Sequence, residues 1–83
     1  MKSQQFVGSM DPLEAKEWLN SIETILDFKQ INDHERVLFA SYILRKDARH
    51  WWATLKLRKD VNTMTWAEFV REFNQKYFNW VVL

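Results

Sequence analysis

Residues 64–77 read MTWAEFVREFNQKY, and this stretch decides the fold class. Thr65 stands three residues before Glu68, which is the spacing of a helix capping box. Met64 and Phe69 stand where a hydrophobic staple joins the two sides of such a cap. Apolar side chains then recur at helical spacing, at Trp66, Phe69, Val70, Phe73 and Tyr77. The stretch therefore predicts an amphipathic α-helix with one buried face.

The chain before this helix predicts three more helices. Asp11 precedes Pro12, a pairing typical of a helix start, and begins a helix over about residues 12–28. Its buried stripe follows the 3.6-residue period through Trp18, Leu19, Ile22, Ile25 and Leu26. Asn32 repeats the capping pattern before a short second helix that contains Val37, Leu38, Ala40, Ser41, Tyr42 and Leu44.

The third helix is expected to be capped by Asp47. It carries Ala48, Trp51, Trp52 and Leu55 at helical spacing, and residues 61–63 are the expected loop after it. The sequence thus predicts an all-α fold, a small orthogonal bundle of about four helices. Its predicted core consists of Trp18, Leu19, Ile22, Leu26, Trp52, Leu55, Trp66, Phe69, Phe73 and Tyr77.

The length of 83 residues fits one domain. We expect an extended segment over residues 1–10, a helical lobe over 11–78 and an apolar tail over 79–83. Aromatic residues make up 16% of the chain, against one Gly and one Pro, a balance that argues against disorder. No apolar run reaches the ~18 residues of a membrane span, so no membrane partner is expected. The absence of Cys favours a reducing compartment, and the prediction is a soluble, cytoplasmic protein.

The sequence offers no constellation of catalytic or metal-binding residues. His34 and His50 fall on different predicted helices, and neither has a second ligand one turn away. Glu23 and Asp27 stand one turn apart, but such a pair is usually a solvated helix face. Gly8 stands alone, so no glycine-rich phosphate loop is present. We therefore expect a non-enzymatic protein without cofactor or metal.

Charges are segregated along the chain although the net charge is only +1. Residues 1–35 hold three basic and seven acidic side chains, whereas residues 36–59 hold seven basic and one acidic. The acidic first helix of one copy is therefore suited to meet the basic third helix of another, as in head-to-tail assemblies. The alternative is that neighbouring helices of one chain neutralise each other.

A basic patch is expected at Arg45, Lys46, Arg49, Lys56, Arg58 and Lys59. Because tryptophans interleave with it at Trp51 and Trp52, stacking on RNA bases is one interpretation. Burial of the tryptophans in the core is the favoured one. Successive helical positions are rotated by ~100°, so one of the two is available to a partner unless the helix is wedged between others.

Apolar residues outside the predicted helices are the candidate interface, since exposed apolar clusters mark interaction sites. The alternative is that both ends of the chain fold back onto their own domain. With one of the paired tryptophans, the candidate interface comprises Phe6, Val7, Trp51, Trp80, Val81, Val82 and Leu83.

The order of these motifs resembles a known family. The residues that carry the resemblance are FVGSMDP at 6–12, EAKEWL at 14–19, RVLFASYIL at 36–44, ARHWW at 48–52 and TWAEF at 65–69 with KYF at 76–78. Together they resemble the capsid-like Gag domain of gypsy-type long-terminal-repeat retrotransposons, especially those of plants, over about residues 6–78.

The resemblance implies the amino-terminal lobe of a retroelement capsid, which self-associates into shells and is not catalytic. Host-domesticated relatives use such lobes as peptide-binding or regulatory modules, so a peptide is the alternative partner. The Cys/His zinc knuckle that grips RNA in these proteins is absent here. The resemblance therefore implies homo-oligomers, with RNA bound only weakly or through regions outside this chain.

Overall fold

The computed structural model describes residues 5–8 and 11–78, most of which lie in four α-helices. The helices are α1 (Pro12–Phe28), α2 (Asp33–Tyr42), α3 (Asp47–Arg58) and α4 (Trp66–Tyr77). A 3-10 turn, Val61–Thr63, joins α3 to α4 at the expected loop. The predicted all-α bundle of four helices is thus confirmed. Within the described ranges, the only extended pairing is a single parallel bridge between Phe6 and Leu44.

The first two helices begin at the side-chain caps that the sequence predicts. Asp11 accepts a hydrogen bond from the backbone N–H of Leu13 at 3.0 Å. Asn32 accepts one from the backbone N–H of Glu35 at 2.9 Å. Each cap satisfies a backbone donor that has no partner within its own helix, so the local sequence fixes where α1 and α2 begin.

The start of α4 is the predicted capping box. The Thr65 hydroxyl accepts from the backbone N–H of Glu68 at 3.1 Å. The Glu68 carboxylate accepts from the backbone N–H of Thr65 at 2.9 Å. This second bond stabilises the charged carboxylate and holds the pKa of Glu68 below its ordinary value of 4.5.

The start of α3 differs from the prediction, because Asp47 does not cap it. Asp47 is the first helical residue, and the N-cap is Lys46, whose φ is 53° and whose side chain makes no capping bond. The turn between α2 and α3 is held instead by two guanidinium groups. Arg45 donates to the carbonyl oxygen of Tyr42 at 2.6 Å, and Arg49 donates to that of Leu44 at 3.1 Å.

One hydrophobic cluster forms the core, and all ten side chains predicted for the core lie in it. Seven further residues share the cluster: Phe6, Ala15, Val37, Ala40, Leu44, Ala48 and Met64. The added residues come from the N-terminal segment, from the first three helices, from the turn between α2 and α3 and from the turn before α4. The core is therefore built from every element that the structure describes except the 3-10 turn.

Polar contacts tie the helices together at the edge of this core. The indole N–H of Trp66 on α4 donates to the carboxylate of Glu23 on α1 at 3.0 Å. Arg36 on α2 forms an ion pair with Asp27 on α1 at 2.7 Å. Glu23 and Asp27 thus face different partners and act as links between helices rather than as an acid pair.

Candidate self-association surfaces

Phe6 lies in the core, so its assignment to a candidate interface is wrong. Its ring centroid is 5.1 Å from that of Trp18, 5.3 Å from Phe73 and 4.9 Å from Tyr77. Its backbone N–H donates to the carbonyl of Ile43 at 3.2 Å, and its carbonyl accepts from the N–H of Arg45 at 2.8 Å. A large aromatic gains more from this pocket than from water.

Trp51 and Trp52 point in different directions, because successive positions of a helix are rotated by ~100°, and they differ in burial. Trp52 is buried and contacts Phe69, with ring centroids 5.7 Å apart. Trp51 is half-buried, and its ring lies 6.0 Å from that of Phe73 and 5.9 Å from that of Tyr77. Part of the Trp51 side chain thus packs against the core, and only the rest of its surface is available to a partner.

Of the other candidate interface residues at the chain ends, only Val7 lies among the described residues. Val7 follows the buried Phe6 and is exposed, as expected for the next residue of an extended segment. Trp80, Val81, Val82 and Leu83 lie outside the described residues.

The outward face of α2 is an apolar surface that sequence reasoning missed. We call it the α2 face and define it as Leu38, Phe39 and Tyr42, of which Tyr42 is 73% exposed. The buried residues of α2, Val37 and Ala40, occupy its opposite side. The sequence does contain a signal for this surface, because α2 carries large apolar residues on all sides and only one side can face the core.

The segregated charges are not neutralised between α1 and α3. In the described part of the chain, ion pairs join Arg36 to Asp27 and Lys59 to Glu72. The first pair joins α2 to α1, and the second joins the end of α3 to α4. Both pairs join neighbouring helices, as the intramolecular alternative expects, but within these ranges neither connects an acid of α1 with a base of α3.

The predicted basic patch divides into two groups. The guanidinium groups of Arg45 and Arg49 donate hydrogen bonds to backbone carbonyl oxygens at the end of α2, where a positive charge is favourable. Lys59 pairs with the buried Glu72 at 3.2 Å. The remaining three, Lys46, Lys56 and Arg58, are exposed. Arg45, Arg49 and Lys59 therefore have structural contacts, and the exposed basic side chains of the patch lie mainly at the end of α3.

The described residues contain no cluster of three or more His, Asp or Glu side chains able to hold a metal ion. His34 and His50 are both exposed, on α2 and α3. None of the helices among the same residues combines the length and the apolar composition that a membrane-spanning helix needs.

A groove of about 470 Å³ runs between α1 and α4. Its α1 wall includes Lys16 and Leu19, and its α4 wall includes Val70 and Phe78. The ammonium of Lys16 lies 5.8 Å from the centroid of the Phe78 ring, which is within cation–π range. The groove is mixed in character, because polar side chains such as Asn20 and Asn74 line it together with the apolar ones.

A family model matches residues 1–78 of the chain. The family is the N-terminal capsid-like domain of retrotransposon-derived protein PEG10. The chain belongs to this family of capsid-like domains. No match was found among curated proteins or among solved structures.

Membership in a retrotransposon-derived capsid-like family confirms the resemblance that the sequence motifs carry. The match begins before α1 and ends at Phe78, just beyond α4, so it covers all four helices. The capsid-like domain therefore includes the segment that carries Phe6, which the structure places in its core.

Proposed function

We propose that this chain is a non-enzymatic structural domain that associates with copies of itself in a capsid-type assembly in the cytoplasm. The observation that carries the proposal is the family match over residues 1–78. Exposed apolar surface supports it, because monomeric proteins keep large apolar patches covered. The α2 face is one such surface, and the proposal extends to Val7, the exposed edge of Trp51 and residues 80–83.

The test is sedimentation velocity on the 83-residue chain from about 1 µM to about 1 mM, the range in which weak contacts associate. Self-association predicts a sedimentation coefficient that rises with concentration. Replacing Leu38 and Tyr42 of the α2 face by Asp is expected to lower association without loss of helical circular dichroism. Deletion of residues 79–83 tests the contribution of the apolar tail in the same way.

A matched control is Gln75→Asp, an exposed position on α4 outside the α2 face. This variant is expected to associate like the unmodified chain. A monomer at every concentration would overturn the proposal for the chain as a whole.

The groove between α1 and α4 favours a second function, as a peptide-binding adaptor. It predicts saturable binding of an apolar peptide by the monomer, measured by fluorescence anisotropy against a labelled peptide library. Val70→Asp in the groove wall is expected to abolish this binding, and Leu57→Asp on the outer side of α3 is expected to leave it unchanged. Binding insensitive to Val70→Asp would contradict the adaptor function.

A further inference from the structure

Two outward helix faces carry opposite charges beside an exposed leucine. The acidic α1 face consists of Leu13, which is 62% exposed, with Glu14 and Glu17. Leu13 and Glu17 lie on the side of α1 opposite its buried residues, and Glu14 is exposed at the flank of that side. Glu17 is one turn from both Leu13 and Glu14, so the three side chains form one surface.

The basic α3 face has the same composition with the sign reversed. Leu57 is 86% exposed and is flanked in sequence by Lys56 and Arg58, both exposed. Successive helical positions differ by ~100°, so the side chain of Leu57 projects between those of Lys56 and Arg58. Leu57 belongs neither to the buried core nor to the partly buried residues packed against it.

Among the described residues, no ion pair neutralises either face. The two ion pairs of the described residues use Asp27, Arg36, Lys59 and Glu72, which belong to neither face. An acidic and a basic surface that both stay exposed in one molecule are complementary between molecules.

We propose that the acidic α1 face of one copy binds the basic α3 face of the next, with Leu57 packed beside Leu13. The inference rests on the proposed self-association and names its surfaces. The two faces are different parts of the chain, so the contact is heterologous. The pair as a whole keeps one free acidic face on one copy and one free basic face on the other, so the contact repeats into a ring or a filament. A two-fold contact of either face with itself would instead set like charges opposite each other.

Charge reversal tests the contact by sedimentation velocity on the whole chain. The acid-reversed variant carries Glu14→Lys with Glu17→Lys, and the base-reversed variant carries Lys56→Glu with Arg58→Glu. Each is expected to weaken self-association by about tenfold or more, because like charges then face each other at every contact. Association of the unmodified chain is expected to weaken as salt rises above about 0.1 M, where the screening length is ~10 Å.

Two rescues separate a specific contact from damage to the fold. A chain that carries all four reversals is expected to associate like the unmodified chain, because both faces have exchanged sign and the net charge is unchanged. An equimolar mixture of the acid-reversed and base-reversed variants is expected to regain association, since each then offers the face that the other lacks. The control Arg71→Glu with Lys76→Glu, two exposed positions of α4, changes net charge as the base-reversed variant does and is expected to associate normally.

The outcomes distinguish this inference from the function on which it rests. If the unmodified chain associates and the reversals leave association unchanged, or if the four-fold reversal fails to restore it, the contact is overturned while self-association stands. If the unmodified chain is monomeric throughout, both fail. Loss in each reversed variant with restoration in the combined chain establishes the contact.

Discussion

Gly8 is the residue at which the N-terminal segment touches the start of α3. Its φ is +91°, in the region that favours glycine. A Cβ added there would lie 2.8 Å from the backbone nitrogen of Ala48 and 2.9 Å from the Cβ of Asp47. Both contacted atoms belong to the first turn of α3, which has little freedom to move.

We therefore expect Gly8→Ala to lower the free energy of unfolding by about 1–3 kcal/mol, from backbone strain and the close contact together. Urea denaturation followed by circular dichroism measures this. Val7→Ala, at the exposed neighbouring position, is the control and is expected to cost less than about 0.5 kcal/mol. Equal stability of the Gly8 variant and the unmodified chain would contradict the proposed close approach.

Tyr77 carries a buried hydroxyl that has no hydrogen-bond partner among the described residues. Its ring packs edge-on against Phe6 in the core. Burial disfavours the phenolate and, with a smaller effect from the charge of Asp47, raises the pKa of Tyr77 to about 12. Removal of a buried hydroxyl without a partner removes a desolvation cost.

We expect Tyr77→Phe to leave stability unchanged or to raise it by up to about 1–2 kcal/mol at neutral pH. Because the folded chain holds the phenol proton more tightly than the unfolded chain, the stability that this group contributes is complete below about pH 10. It is lost as the pH rises toward about 12. Urea midpoints between pH 7 and 12 measure both effects. The stability of the Tyr77→Phe variant is expected to fall less between pH 10 and 12 than that of the unmodified chain. Destabilisation at neutral pH would show that the hydroxyl has a partner.

At the scale of elements, the capping box makes the start of α4 depend on one hydroxyl. Thr65→Ala removes the acceptor for the backbone N–H of Glu68. We expect a cost of about 1 kcal/mol in the free energy of unfolding, which is typical for loss of an N-cap. Thr65→Ser keeps the hydroxyl and is expected to stay within a few tenths of a kcal/mol. Urea denaturation of both variants provides the comparison, and an equal loss in the two would contradict the cap.

The helices show which elements a sequence determines locally. Where a capping side chain precedes an apolar stripe, as at Asp11, Asn32 and Thr65, the helix start follows from neighbouring residues alone. The start of α3 does not, because Lys46 takes a positive φ without a capping side chain. That turn is held by Arg45 and Arg49 from positions that carry no cap signal. Side-chain hydrogen bonds to carbonyl oxygens three and five residues earlier hold this turn, and no capping residue predicts them.

The surfaces were harder to predict than the helices, because exposure depends on which elements meet. Composition marks Phe6 and Leu38 alike as apolar, but only the assembled bundle shows that Phe6 is buried and that Leu38 is exposed. Charge segregation was visible in the sequence. Whether α1 and α3 neutralise each other within the chain required the positions of both helices.

At the scale of the whole molecule, Phe6 ties the N-terminal segment to the bundle. Its ring contacts Trp18 on α1 and both Phe73 and Tyr77 on α4, and its backbone bonds to the turn after α2. An 83-residue domain has a total stability of about 4–12 kcal/mol. A single buried aromatic is therefore a large share of what keeps this chain folded.

We expect Phe6→Ala to lower the free energy of unfolding by about 3–5 kcal/mol, because it removes a buried ring and leaves a cavity among three others. At the lower end of the expected total stability, the variant is largely unfolded at 25 °C. Urea denaturation followed by circular dichroism at several temperatures measures the loss, and Phe6→Leu is the matched control, which keeps most of the apolar volume and is expected to retain the fold. If Phe6→Ala unfolds within about 1 kcal/mol of the unmodified chain, the segment does not contribute to the core, and Phe6 returns to the surfaces available for self-association.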